Sequence, residues 1–211
     1  MLDRMKAFPA LALALALSAC QHVTPPPAPE AEAAHEQERL LKAQFEPIDV
    51  LLARSLEVQR AQFMWGLQGY PSVEAVRDGA NSSITLRYWG HEYRAPLPPD
   101  AWESLATDAP RAFHPEAAAA SRKRDRRDGP CHSWHRLEAA LDGRILRATA
   151  TPCVNAPQAP ALAYADRLAR LAIDNVAICE ADRGNADTAH ALRACGARMG
   201  PPTADYRKLF D

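Results

Sequence analysis

HSWHRLEAALDGRILRATATP, residues 132 to 152, holds the strongest local signal in the sequence. Asp142-Gly143 stands between two alternating apolar and polar runs. A two-residue turn needs central residues that tolerate positive φ, and Asp-Gly does. The stretch predicts a β-hairpin. With Leu141 opposite Arg144, the residues Leu137, Ala139 and Leu141 share one face with Leu146, Ala148 and Ala150, while Glu138 meets Arg147 on the other face. A three-residue loop would break up that apolar face, so the two-residue turn is preferred.

On the N-terminal side, SSITLRYWGHEYRAPL, residues 82 to 97, reads as a second hairpin. A turn at Gly90-His91 would pair Tyr88 with Tyr93, Leu86 with Ala95 and Ile84 with Leu97, all on one face. Asp100 is placed to cap a short helix through Trp102 and Leu105, with Glu103 three residues on as in a capping box. Upstream, a helical pattern runs from Glu30 to Phe45, breaks at Pro47, and resumes through Ile48, Leu51, Leu52, Leu56, Phe63 and Leu67. It predicts a long kinked helix. Downstream, Pro160 opens an amphipathic helix, and a second helix spans about Asp187 to Met199 before the Gly200-Pro201 stop. Asp166, Asp174 and Glu180 fall on the solvated side. Two hairpins, each with one apolar face, between N- and C-terminal helices predict an α+β fold around a small antiparallel sheet.

The even number of remaining cysteines predicts two staples. Apart from Cys20, the sequence holds Cys131, Cys153, Cys179 and Cys195, which allow three pairings. Cys131 with Cys153 would close the first hairpin, although the register places Cys131 opposite Val154, so a bulge or splayed strand ends are required. Cys179 with Cys195 would join the two C-terminal helices if they cross at an angle or if the first ends near Cys179. Each bridge is worth about 3 kcal/mol in the chain-entropy picture.

The N-terminus carries an address. Arg4 and Lys6 precede an uncharged apolar segment from Ala7 to Ala19, whose 13 residues cover roughly 20 Å as a helix, short of a ~30 Å hydrocarbon core. It ends in Leu17-Ser18-Ala19-Cys20, which resembles the lipobox of bacterial lipoproteins. The resemblance implies that Cys20 receives a diacylglyceryl group and becomes the mature N-terminus, giving a membrane attachment through several acyl chains. Gln21, in place of the Asp that retains many lipoproteins at the inner membrane, implies the periplasmic face of the outer membrane. Pro25-Pro26-Pro27-Ala28-Pro29 then forms an extended spacer. The organisation expected is a signal peptide at residues 1–19, a lipidated cysteine and proline-rich linker at 20–36, and one periplasmic domain at 37–211. Export to an oxidising compartment favours disulfides for the remaining four cysteines.

Function is less explicit. With 25 basic and 26 acidic side chains, no whole-molecule field favours nucleic acid. Gly-x-Ser-x-Gly, His-Glu-x-x-His and phosphate-loop motifs are missing, and His132 and His135, three apart on a strand, point to opposite faces and do not chelate one ion together without a bulge. No cofactor or metal is expected. Two surface features are candidate contacts: the basic loop with Arg122, Lys123, Arg124, Arg126 and Arg127, and the tryptophans Trp89 and Trp134, which the registers place opposite the apolar faces. The preferred expectation is a non-enzymatic envelope lipoprotein that binds another protein, as an accessory, inhibitor or immunity factor. The alternatives are an envelope or cell-wall hydrolase, which would gather His91, His132 or His135 with an acid in a pocket, and a purely structural envelope component.

Overall fold

In the computed structural model, which describes residues 45–65, 70–114, 133–150 and 160–207, six strands form one antiparallel sheet. They are β1 (Glu57–Trp65), β2 (Ser72–Asp78), β3 (Asn81–Tyr88), β4 (His91–Pro96), β5 (Ser133–Leu141) and β6 (Arg144–Ala150), in the spatial order β4-β3-β2-β1-β5-β6. Helices α1 (Ile48–Ala53), α2 (Pro99–Ala112), α3 (Pro160–Asn175), α4 (Thr188–Arg198) and the single turn α5 (Ala204–Arg207) pack around it. The fold is α+β.

The hairpin β5–β6 has the register its sequence demands: Leu141 pairs with Arg144, Leu137 with Ala148 and Glu138 with Arg147, across a turn in which Asp142 and Gly143 both take positive φ. Its apolar face joins Ala61 and Phe63 of β1, Val73 and Ala75 of β2, and Ile84 and Leu86 of β3 in the main core. Helix α3 lies across this face, touching five strands, and buries Tyr164, Leu168 and Ile173. Burial of each such group is worth roughly 1.5–3 kcal/mol. Helix α2 runs alongside and sinks Trp102 and Leu105 completely.

Where a long helix was expected to continue, α1 stops at Ala53 and residues 57–65 form the central strand β1. The cause lies in two-sided burial. Val58 and Met64 are buried on one face, Ala61 and Phe63 on the other, and the polar Gln59, Arg60 and Gln62 are buried among them. A strand packed on both faces loses its period-two alternation, and Leu56 and Phe63, seven residues apart, then imitate a helical stripe. Neighbouring β2 lacks a sequence signal for the same reason, with Val73 and Ala75 inward and Glu74 buried outward.

The hairpin β3–β4 turns one residue earlier than its sequence suggests, at Trp89-Gly90, pairing Tyr88 with His91, Leu86 with Tyr93 and Ile84 with Ala95. Moving each partner by two positions keeps every side chain on its face. Trp89 adopts φ +52 and Gly90 φ +82, the two positive values of a hairpin-matching turn. The tryptophan is held there because its ring stacks on Tyr88 at 4.5 Å and its carbonyl accepts a hydrogen bond from the Thr203 amide. Gly90 is irreplaceable in this arrangement, since a Cβ would stand 2.1 Å from Thr203 Oγ1 and 2.9 Å from Tyr206 Cβ. Leu97, expected opposite Ile84, follows the strand and is buried at its end.

Asp100 does not cap α2. Pro98 precedes the helix with no side-chain cap, Pro99 occupies the first turn, where its missing N–H is harmless, and Asp100 sits in that turn, favourable to the helix dipole. The C-terminal helices follow the sequence closely. Helix α3 ends at Asn175, a 3₁₀ segment over Ala177–Asp182 carries Cys179, and Asp187 caps α4 by accepting from the His190 amide. Cys179 and Cys195 are disulfide-bonded and fully buried, with Cα atoms 4.8 Å apart. The first helix ends before Cys179, the second of the two arrangements the pairing allows. Cys131 and Cys153 lie outside the described residues, as does the cysteine-bearing signal segment.

Candidate functional site

The face of the sheet opposite α3 carries charge. Backbone register sets Arg94, Thr85, Glu74, Arg60, Glu138 and Arg147 in one row across all six strands, and Glu92, Arg87, Ser72, Gln62, Arg136 and Thr149 in the next. The third row, Val76, Val58, Ala140 and Ile145, is apolar and is covered by α1 through Ile48 and Leu51. Helix α1 and Phe45 thus wall one side of a charged strip.

Glu138 is the hub of that strip. Its Oε2 accepts from Arg60 Nε at 2.9 Å and Nη2 at 2.5 Å, while its Oε1 accepts from Arg136 Nη2 at 3.0 Å and Arg147 Nε at 3.1 Å. Burial alone would raise the carboxyl pKa, but the guanidiniums of Arg60, Arg136 and Arg147 outweigh it and hold Glu138 below the usual carboxylate range. With four donors on two oxygens, it has no lone pair to spare for a proton. Glu138 is a structural anion and not a general base.

Arg60 is equally occupied. Its Nη1 donates to the Glu46 carbonyl at 2.8 Å and reaches Glu74 at 3.4 Å, and its guanidinium lies 4.7 Å from the centre of the Phe45 ring. Arg87 joins Glu74 and Glu92 at 2.9 Å each and flanks the same ring at 5.2 Å. Such stacking is worth about 1–2 kcal/mol when partly desolvated. Phe45 therefore clamps two arginines onto the sheet.

Between Phe45, α1 and β5–β6 lies a cleft of about 230 Å³ lined by Arg60, Gln62, Arg136, Glu138 and Arg147, with Pro47, Ile48 and Asp49 on the opposite wall. A larger hollow of about 710 Å³ beside α2 is lined by Phe113, Leu141 and Leu146, with Arg77 paired to Glu57 and Glu103 and the exposed Arg144 at the β5–β6 turn. The smaller cleft is the one that gathers three guanidiniums, Arg60, Arg136 and Arg147, around a buried carboxylate.

Of the residues singled out from sequence, Trp89 is half-buried in the β3–β4 turn against the core instead of on an outer face. Trp134 belongs to β5 and its backbone pairs with Met64. Its side chain, with Arg122, Lys123, Arg124, Arg126, Arg127, His132 and Cys20, lies outside the described residues. His91, on edge strand β4, donates from Nε2 to the Pro201 carbonyl at 2.8 Å. His135 is buried on β5 beside Phe63. Four strand spacings separate those two strands, roughly 19 Å at ~4.8 Å each. They do not share a pocket. Among the described residues, no group of three His, Cys, Asp or Glu could hold a metal ion, and no helix is long and apolar enough to cross a membrane.

The arginine–glutamate strip escapes a reading of the sequence because its central members sit on β1 and β2. The pairing of Glu138 with Arg147 is legible, but only as an ordinary solvated face. Comparison of the protein with protein-family models, with curated proteins and with solved structures finds no match.

Proposed function

We propose that this protein is an envelope lipoprotein, anchored through acylated Cys20 at the periplasmic face of the outer membrane, whose α+β domain acts by binding another protein. The observation that carries the reading is the run from Arg4 through the apolar segment to Leu17-Ser18-Ala19-Cys20. The Pro25–Pro29 spacer supports it by supplying reach between lipid and domain. Binding in preference to catalysis is supported by the state of the buried acid in the cleft: Glu138 is held ionised by three arginines, a condition suited to recognition and poor for proton transfer.

Fractionation of cells producing the full-length protein tests this. The native form is expected in the outer-membrane fraction, released by detergent and not by salt or alkali, while Cys20→Ser is expected to lose acylation and its outer-membrane position. Recovery of the native form in the soluble periplasm, or an unchanged distribution of Cys20→Ser, would contradict the reading.

A further inference from the structure

We infer that the cleft between Phe45, helix α1 and the β5–β6 hairpin is a receptor for a single carboxylate of a partner protein, with Arg136 and Arg147 as its cationic jaws. The inference rests on the protein-binding reading above and names what that binding would recognise.

The charge balance points there first. Among the described residues, the connected network holds four cations, Arg60, Arg87, Arg136 and Arg147, against three anions, Glu74, Glu92 and Glu138. At the cleft itself three guanidiniums, Arg60, Arg136 and Arg147, face two carboxylates, Glu138 and Asp49, an excess of one cation. Donor capacity points the same way. A guanidinium carries five N–H donors, and among the described residues Arg136 and Arg147 each spend one on Glu138 Oε1. Arg60, by contrast, spends donors from all three nitrogens.

Geometry supplies the spacing. Arg136 and Arg147 lie diagonally on adjacent strands of the same face, and both reach the same oxygen, at 3.0 and 3.1 Å. Their bonding nitrogens are therefore no farther apart than those two distances together, close enough for one carboxylate to engage both side chains. Glu138 holds them in place before any ligand arrives, which lowers the ordering cost of binding. Arg147 is largely exposed and Arg136 partly so, at 59% and 25% of their side chains, so the free donors are reachable. Pro47 and Ile48 on the opposite wall suit an aliphatic stem, and Asp49 beside them leaves the lining a net charge of only one, which favours a monoanion over a phosphate dianion. The ligand class is an aspartate or glutamate side chain, or the terminal carboxylate of a polypeptide.

The test uses full-length protein in detergent micelles with ¹⁵N-labelled arginine, and N-acetylglycine as the probe carboxylate. Saturable shifts of the Arg136 and Arg147 side-chain resonances are expected at millimolar probe, weakened about tenfold or more by Arg147→Gln. Arg94→Gln, on the same face outside the cleft, should leave them unchanged. Absence of a saturable shift at tens of millimolar, undiminished binding by Arg147→Gln, or an equal response to chloride or inorganic phosphate would overturn the inference. Those outcomes leave the anchoring of Cys20 untouched, whereas a non-acylated, soluble protein that still binds the probe would remove the envelope reading alone.

Discussion

Replacing Glu138 with Ala is expected to destabilise the domain by about 3–5 kcal/mol, read from urea unfolding by circular dichroism, because it strips a buried cation of its main partner. Arg60 is 6% exposed, and without Glu138 its remaining polar partners are Glu74, at the longer distance, and one backbone carbonyl, with the Phe45 ring beside it. The same physics makes a second result decisive. Arg60→Met combined with Glu138→Leu should cost less than Glu138→Ala alone, since neither partner is then left uncompensated and the apolar row beside them, Val58 and Ala140, offers a compatible surface. A Glu138→Ala effect under about 1 kcal/mol would show that water already screens the strip.

Acid adds an independent check. Glu138 has a folded-state pKa below its ordinary value of 4.5, so its stabilising contribution is complete above that pH and is lost as the pH falls through the lower folded value. Glu138→Gln should flatten the stability profile in that acidic window, relative to the native protein, and leave its slope near neutral pH unchanged.

The second large effect belongs to the other side of the sheet. Trp102→Ala should cost about 3–5 kcal/mol, since the side chain has no exposure and its ring also supports the Arg77 guanidinium at 5.1 Å. Trp102→Phe should cost markedly less, about 1–2 kcal/mol, because the indole Nε1 has no acceptor among the described residues and the substitution forfeits no protein hydrogen bond. Equal losses for the two variants would mean that the N–H, and not the ring volume, holds α2 in place.

The elements legible in the sequence are those specified locally. Asp142-Gly143 dictates the β5–β6 turn, and the period of its flanks dictates the register. Asp187 and Gly200 bracket α4, and the helical patterns that carry Cys179 and Cys195 put both on buried faces, which favours their bridge among the three possible pairings. The elements that escape are specified by neighbours. Strand β1 buries Gln59 on the helix side, where it accepts from the Tyr164 hydroxyl at 2.6 Å, and Arg60 on the charged side between Glu74 and Glu138. Burial drives the Tyr164 pKa upward, with the Asp108 charge adding to it, so the hydroxyl remains a donor. Polar residues satisfied in this way look like surface positions until their partners are known. The candidate site inherits that opacity: Arg136, Glu138 and Arg147 form a visible local triplet, but Arg60 and Phe45 join them only through the sheet register.

Mass spectrometry of the mature N-terminus decides whether the protein is a lipoprotein at all. The expected product begins at Cys20 and carries a diacylglyceryl group, with or without a further amide-linked acyl group. Cleavage elsewhere, or a mature form beginning at Cys20 with an unmodified thiol, would contradict the lipid anchor.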